Sequence, residues 1–247
     1  MHEYELYGAS IFETLLADKG RFWRLQNHWK RLQGTARALG FQAPSFETFK
    51  TNLSHAHDSN HTQVMRYTLI RQGGIWSGQP TCDETKVLAR PFTKTTAPIH
   101  LYLPAERFAN ADGWRQFKTG SRMAYQHLLM QASYHHCQDS LLIDQEERIL
   151  ETCFGNLIWC ESGQWYTPRL DLGLLPGIYR EWLVETGLVE ESTLFLGELS
   201  QITGMIVCNS VHGAREVAMV GGCKVTQTAT ATFLQSLPKR PYLPMEI

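Results

Sequence analysis

The sequence predicts an α+β protein built of two units. Three observations lead there: strands that read as hairpins with helices set between them, a stretch without periodicity near residue 95, and a composition able to bury a sizeable core. Of 247 residues, 43% are hydrophobic and 19% charged, which excludes a disordered chain. The net charge of −1 lacks the basic excess of a nucleic-acid binder. No apolar run approaches the ~20 residues that span a bilayer. The opening MHEYELYGAS carries no signal-like apolar stretch, so a cytoplasmic protein is expected. Six cysteines, none in a C-x-x-C pair, read as reduced thiols in that compartment.

Each element has a local reason. ASIFETLL (9–16) mixes β-branched and apolar residues and reads as a strand; Gly20 marks a turn, and FWRL (22–25) reads as the return strand. A helix follows, with Asn27 as its N-cap, Leu32, Ala36 and Leu39 at helical spacing, and Gly40 as its stop. A second helix covers 45–56, and 62–71 and 86–90 read as strands. FTKTTAP (92–98) is the linker. Beyond it come a strand at 99–103, a helix at 125–135, and a hairpin of 141–144 and 148–151 around the polar turn QEE. LIWC (157–160) and WYTP (165–168) flank ESGQ as another hairpin. A short helix at 179–186 is stopped by Gly187, GMIVCN (204–209) is a buried strand, and a last helix at 230–237 ends at Pro238.

Phosphate-loop, dinucleotide, zinc-protease and nucleophile-elbow patterns are absent. His55, His57 and His61 cluster in SHAHDSNH, but a structural zinc wants four placed ligands, and a solvated loop is the better reading. No metal is expected.

Four segments carry chemistry: NHWKRL (27–32), FKTGSRM (117–123), ILETCFGNLIW (149–159) with YTPRLDLGLLPGIYR (166–180), and VCNSVHG (207–213). Opened by Gly8 and the FET of 12–14, their order and spacing resemble the class IV aminotransferase family, the fold-type IV pyridoxal 5'-phosphate (PLP) enzymes, from about Gly8 to about Val217. The resemblance implies a small N-terminal α/β domain over 1–92, a linker at 93–98, and a larger, barrel-like, PLP-binding α+β domain over 99–247. It also implies a homodimer, with the site between the domains and completed by the neighbouring subunit.

The same resemblance distributes the roles. PLP needs a lysine amine that can shed its proton and attack an aldehyde, and Lys118 matches the Schiff-base lysine. Glu151 matches the carboxylate that keeps the pyridine nitrogen protonated. Arg31 matches the phosphate arginine. Gly177 allows close backbone approach, and Ile178 and Tyr179 offer the free N–H groups of a helix start to the dianion. Leu175 packs on the ring face, Asn209 and Ser210 add an N–H and a hydroxyl, and Asn156 joins the cofactor set. Arg180 reads as structural or solvent-exposed. Asp144, Glu146 and Glu147 read as solvent-facing turn residues.

The choice of reaction turns on the residues just after the lysine. Arg122 stands four residues on and Met123 five, where branched-chain aminotransferases carry a tyrosine; this looks like the aminodeoxychorismate lyases of the family. A cation beside the lysine suits a doubly carboxylated substrate. Arg66 reads equally as a second carboxylate ligand or a solvent-facing strand residue, and His212 as a pocket or a loop residue. Gly120–Ser121, Cys153–Phe154–Gly155, Tyr179 and Arg71–Gln72–Gly73 depart from the family's usual residues. The resemblance implies conversion of 4-amino-4-deoxychorismate to 4-aminobenzoate and pyruvate, with Lys118 as general base. The alternative is an aminotransferase of D-amino or branched-chain amino acids. The expected partner is a small-molecule substrate, with neither nucleic acid nor membrane.

Overall fold

The computed structural model describes residues 7–74, 78–238 and 243–244. Its contacts divide the chain into two units. The first takes in residues up to Thr93 with Phe117–Arg122 and the strand Leu243–Pro244; the second takes in Lys94–Gln116 and Met123–Pro238.

In the first unit, β1 (Ser10–Asp18) turns into β2 (Arg21–Phe22), followed by α1 (Leu25–Leu39), α2 (Phe46–Ala56), β3 (Thr62–Gly74) and β4 (Gln79–Pro91). The antiparallel sheet runs Leu243–Pro244, β2, β1, β3, β4. Alternate β1 residues Ile11, Leu15 and Ala17 form a core with Leu32 of α1, Phe49 of α2 and Tyr67 of β3. Glu13 falls on that same apolar face. Arg24 adopts a left-handed backbone (φ 51°) and ends the strand path early. The return strand is therefore only Arg21–Phe22, and α1 begins before Asn27, which lies inside the helix rather than capping it. β3 and β4 run longer than the expected 62–71 and 86–90, while both ends around the loop between the helices match their local signals. Gly40, at φ 71°, closes α1, and the Ser45 hydroxyl accepts the Thr48 N–H at 3.1 Å to start α2.

The second unit contains β5 (Ile99–Tyr102), α3 (Met123–Tyr134), β6 (Asp139–Ile143), β7 (Arg148–Thr152), β8 (Asn156–Glu161) and β9 (Gln164–Pro168). Then come α4 (Ile178–Glu185), β10 (Glu190–Ser192), β11 (Leu194–Phe195), β12 (Gly204–Asn209), β13 (Gly213–Val220), β14 (Cys223–Lys224) and α5 (Thr230–Ser236). The pairings β8–β12–β13–β5–β6–β7 and back to β8 close a six-stranded barrel. Closure leaves no open edge on those strands, and Leu101, Leu141, Leu157, Trp159, Met205 and Val217 help fill the interior. The α+β class and the barrel of the larger unit agree with the expectation from sequence.

One turn residue departs from it. Asp144 is fully buried, not solvent-facing. Its carboxylate accepts Arg148 Nε at 2.7 Å and the backbone N–H groups of Glu146 and Arg148 at 3.0 Å. The acid builds the hairpin, while Glu146 and Glu147 remain exposed. Among the described residues, no helix is long and apolar enough to cross a membrane.

Candidate active site

The residues singled out by the sequence fall into two groups, one in each unit. In the first unit, β2 reaches only the last two residues of β1. The same edge further up takes the segment carrying Lys118. The Phe12 N–H donates to the Lys118 carbonyl at 2.9 Å, and the Gly120 N–H to the Ser10 carbonyl at 2.8 Å. A Cβ on Gly120 would lie 2.1 Å from Ser10 Oγ and 3.0 Å from the Gly8 carbonyl oxygen, so the serine side chain would have to move. Lys118 Nζ lies 4.8 Å from the Phe12 ring centroid. In the β1–β3 register Phe12 faces Thr68 and Thr14 faces Arg66, so Arg66 is a diagonal neighbour of Phe12 on one face. Its guanidinium carbon sits 3.6 Å over the same ring. Both cationic centres lie against the Phe12 ring, at most 8.4 Å apart. Arg122 is half-buried in this unit, next to Ser121, whose hydroxyl donates to the Tyr7 carbonyl at 2.8 Å.

On the opposite face of β1 lies a buried polar cluster. Glu13, 1% exposed, accepts Arg31 Nε and Nη2, each at 2.7 Å, and His28 Nδ1 at 2.8 Å. His28 and Arg31 are three residues apart on α1 and so share a helix face. Burial pushes the Glu13 carboxyl up, but the Arg31 charge and the hydrogen bonds from Arg31 and His28 outweigh it and hold it down at about 2, from an ordinary 4.5. Burial, ahead of the opposing Glu13 hydrogen bond, holds His28 below its ordinary 6.5. The neutral imidazole carries its proton on Nδ1, because a carboxylate only accepts. Its buried Nε2 has no hydrogen-bond partner among the described residues.

In the second unit, Glu151 of β7 pairs across the strand with Asn156 of β8. The buried Glu151 carboxylate accepts the Leu175 N–H at 3.3 Å and Asn156 Nδ2 at 3.4 Å, and Nδ2 also donates to the Leu175 carbonyl at 2.9 Å. Gly177 precedes α4, and no side chain caps that helix. The N–H groups of Ile178 and Tyr179 open its first turn. The Tyr179 ring meets Trp182 edge-on at 5.3 Å and anchors the helix. Leu175 is half-buried beside this group.

Asn209, Ser210 and His212 come together in one turn. Asn209 Oδ1 accepts the N–H groups of Val211 (3.0 Å) and His212 (2.8 Å), and Nδ2 donates to the Phe154 carbonyl at 3.2 Å. The Asn209 side chain thus shapes the turn that carries Ser210. Arg180 is buried, donating to the Pro168 carbonyl at 2.7 Å and pairing with Glu191, a structural place. His57 donates from Nδ1 to Gln63 and accepts the Gly20 N–H at Nε2, so both ring nitrogens serve the loop.

Three residues that matter to this geometry had no role assigned from sequence. Glu13 and His28 lie inside the quoted segments, and the signal was there: an acid on the apolar face of a strand, with a histidine and an arginine at helical spacing. The third, Asp139, gave no such signal. Buried at the start of β6, it accepts the N–H groups of Ser140 (2.8 Å), Cys153 (3.0 Å) and Phe154 (3.3 Å), and so holds the turn between Glu151 and Asn156. Burial outweighs those hydrogen bonds and pushes its carboxyl up to about 6.

The family model described as amino-transferase class IV matches residues 10–220. The chain is 28% identical to the "Putative aminodeoxychorismate lyase" of Schizosaccharomyces pombe, over 74% of this chain and 76% of the relative. It superposes on a branched-chain amino acid aminotransferase of Escherichia coli with a TM-score of 0.84, at 20% identity and covering 96% and 86% of the two chains. A hypothetical aminotransferase of Mycobacterium tuberculosis, solved in its PLP-bound form, gives a TM-score of 0.83 at 17% identity, covering 95% and 89%.

Proposed function

We propose that this chain, which belongs to the class IV aminotransferase family, is a PLP-dependent lyase that splits 4-amino-4-deoxychorismate into 4-aminobenzoate and pyruvate. The observation that carries the reading is the pairing of Arg66 with Lys118 on the Phe12 ring. A guanidinium within 8.4 Å of the reacting amine suits a substrate that brings two carboxylates. Arg122, four residues beyond Lys118, adds a cation, and His212 completes the substrate set. Met123, 82% exposed, stands where branched-chain aminotransferases carry a tyrosine.

The chain's residues suit the cofactor. Lys118 offers the amine, Glu151 a buried carboxylate for the pyridine nitrogen, and the start of α4 an N–H cradle for the phosphate, with Arg31, Asn209 and Ser210 contributing. Asn156 holds Glu151, and Leu175 packs on the ring. Bound PLP supplies the electron sink for the pair left when a C–H bond breaks. Lys118 moves the proton: it takes the ring hydrogen from the carbon that bears the amine. The C–O bond to the enolpyruvyl group then breaks, the ring becomes aromatic, and the departing enolpyruvate takes up a proton to give pyruvate. In this reading the enzyme works as a homodimer in the cytoplasm.

The test is a product assay with aminodeoxychorismate generated in situ, purified protein and PLP, beside a Lys118→Ala control. Formation of 4-aminobenzoate and pyruvate, lost in the control, is expected. No product, with bound cofactor converting to its amine form on D-alanine or a branched-chain amino acid, overturns the lyase in favour of an aminotransferase.

A further inference from the structure

Glu13 of β1 and His28 of α1 have no task in the proposed reaction. We propose that they are positioning residues that hold the Arg31 guanidinium in one orientation for an incoming phosphate dianion; the inference rests on Arg31 being a phosphate ligand in the proposed function.

The geometry carries it. Glu13 engages the edge of Arg31 formed by Nε and Nη2, Nε to Oε1 and Nη2 to Oε2, both at 2.7 Å. Two parallel hydrogen bonds on one edge fix the plane of a guanidinium as well as its place. The His28 Nδ1–H, 2.8 Å from Oε2, fixes the carboxylate in turn. Direction thus passes from the rigid strand to the carboxylate and on to the guanidinium. The exposures agree: His28 and Glu13 side chains are 0% and 1% exposed, while Arg31 reaches 11%.

Stability alone is a poor account of this cluster. Glu13 interrupts the apolar face of Ile11, Leu15 and Ala17, and burying an ion pair is often no more stabilising than apolar packing in its place. Orientation is a better one. A free arginine loses rotamer entropy when it binds a ligand, and an arginine already held loses less. The arrangement gives up attraction to do so, since the Glu13 charge offsets that of Arg31. This makes the inference separable from simple electrostatics. Removing the Glu13 charge leaves Arg31 more attractive to an anion but less well aimed.

The experiment compares PLP with pyridoxal, which lacks the phosphate, on cofactor-free full-length protein by equilibrium dialysis. The variants are Glu13→Gln, His28→Asn, which keeps an N–H donor, and His28→Phe, which does not. Thermal melting of each cofactor-free variant reports folding. Glu13→Gln is expected to weaken PLP about tenfold, the scale on which partners that orient a direct ligand act, while pyridoxal changes less than about twofold. His28→Phe should lower the PLP-to-pyridoxal ratio and His28→Asn restore most of it. Equal losses for both ligands, or PLP binding unchanged or tighter in Glu13→Gln, overturns the inference. If Glu13→Gln does not fold, the His28 pair decides alone: equal ratios in His28→Phe and His28→Asn refute it. Wild-type protein that binds neither ligand overturns the cofactor reading, and this inference with it.

Discussion

Replacing Gly177 with alanine tests how Glu151 is held. The backbone at Gly177, φ −71° and ψ 132°, suits any residue, so the change has no conformational cost. The added Cβ matters instead. It would lie 1.8 Å from Asn156 Oδ1, where anything under 3.0 Å forces a shift, so something must move by more than an ångström. Asn156 is 4% exposed, and its amide is tied to the Leu175 carbonyl and to Glu151. Retreat breaks both bonds. A neutral hydrogen bond contributes about 1 kcal/mol and one to a charged group about 1.5–3 kcal/mol, so Gly177→Ala should cost about 2–4 kcal/mol. The assay is urea unfolding of cofactor-free protein monitored by tryptophan fluorescence, in wild-type and Asn156→Ala backgrounds. If the clash is the cause, the cost falls below about 1 kcal/mol once Asn156 is gone. An equal cost in both backgrounds refutes the argument.

Acid should act on the two buried carboxylates in opposite senses. Glu13 titrates at about 2 in the fold against 4.5 ordinarily. Its contribution, about 3 kcal/mol, is complete above pH 4.5 and lost as pH falls from there towards 2. The stability gap between wild type and Glu13→Gln should narrow over that window in urea titrations; a constant gap contradicts it. Asp139 titrates at about 6 against 3.8, so it costs nothing below pH 3.8 and destabilises the fold by about 3 kcal/mol once pH exceeds 6. Carbon-13 NMR of its carboxyl should show a midpoint near 6, and a midpoint below 4 rules this out. Asp144→Ala leaves the Arg148 guanidinium, 17% exposed, without its closest carboxylate and should cost about 3 kcal/mol or more. Glu146→Ala, which removes an exposed carboxylate from the same arginine, should cost less than about 1 kcal/mol, and similar losses for the two would refute the burial argument.

Much of the fold could be read from short stretches of chain. Gly40 stops α1 because a glycine tolerates the left-handed turn after a helix, and Ser45 starts α2 because its hydroxyl replaces a missing backbone acceptor. The first helix shows where such signals fail. Asn27 is a good capping residue by type, but Arg24 takes the left-handed turn and the helix starts before it. β13 passed unnoticed because Arg215 and Glu216 break its apolar pattern, although it closes the barrel between β12 and β5. The acidic run before Glu151 misled for a related reason. Asp144 looks like any turn acid until the hairpin wraps its backbone donors around it.

By itself, the sequence determined the α+β class, the hairpins and most helix ends, and the order of segments that marks the family. Caps, turns and periodicity act over a few residues, so they survive in one dimension. Only the tertiary structure decided which polar groups meet. Glu13 and Arg31 are 18 residues apart and Asn156 and Leu175 19 apart, while Phe12 and Lys118 come from distant parts of the chain. Whether an acid is buried and ionised, or a glycine is needed for room rather than for its φ, depends on what the rest of the chain brings alongside. That is a property of packing, and no window of residues contains it.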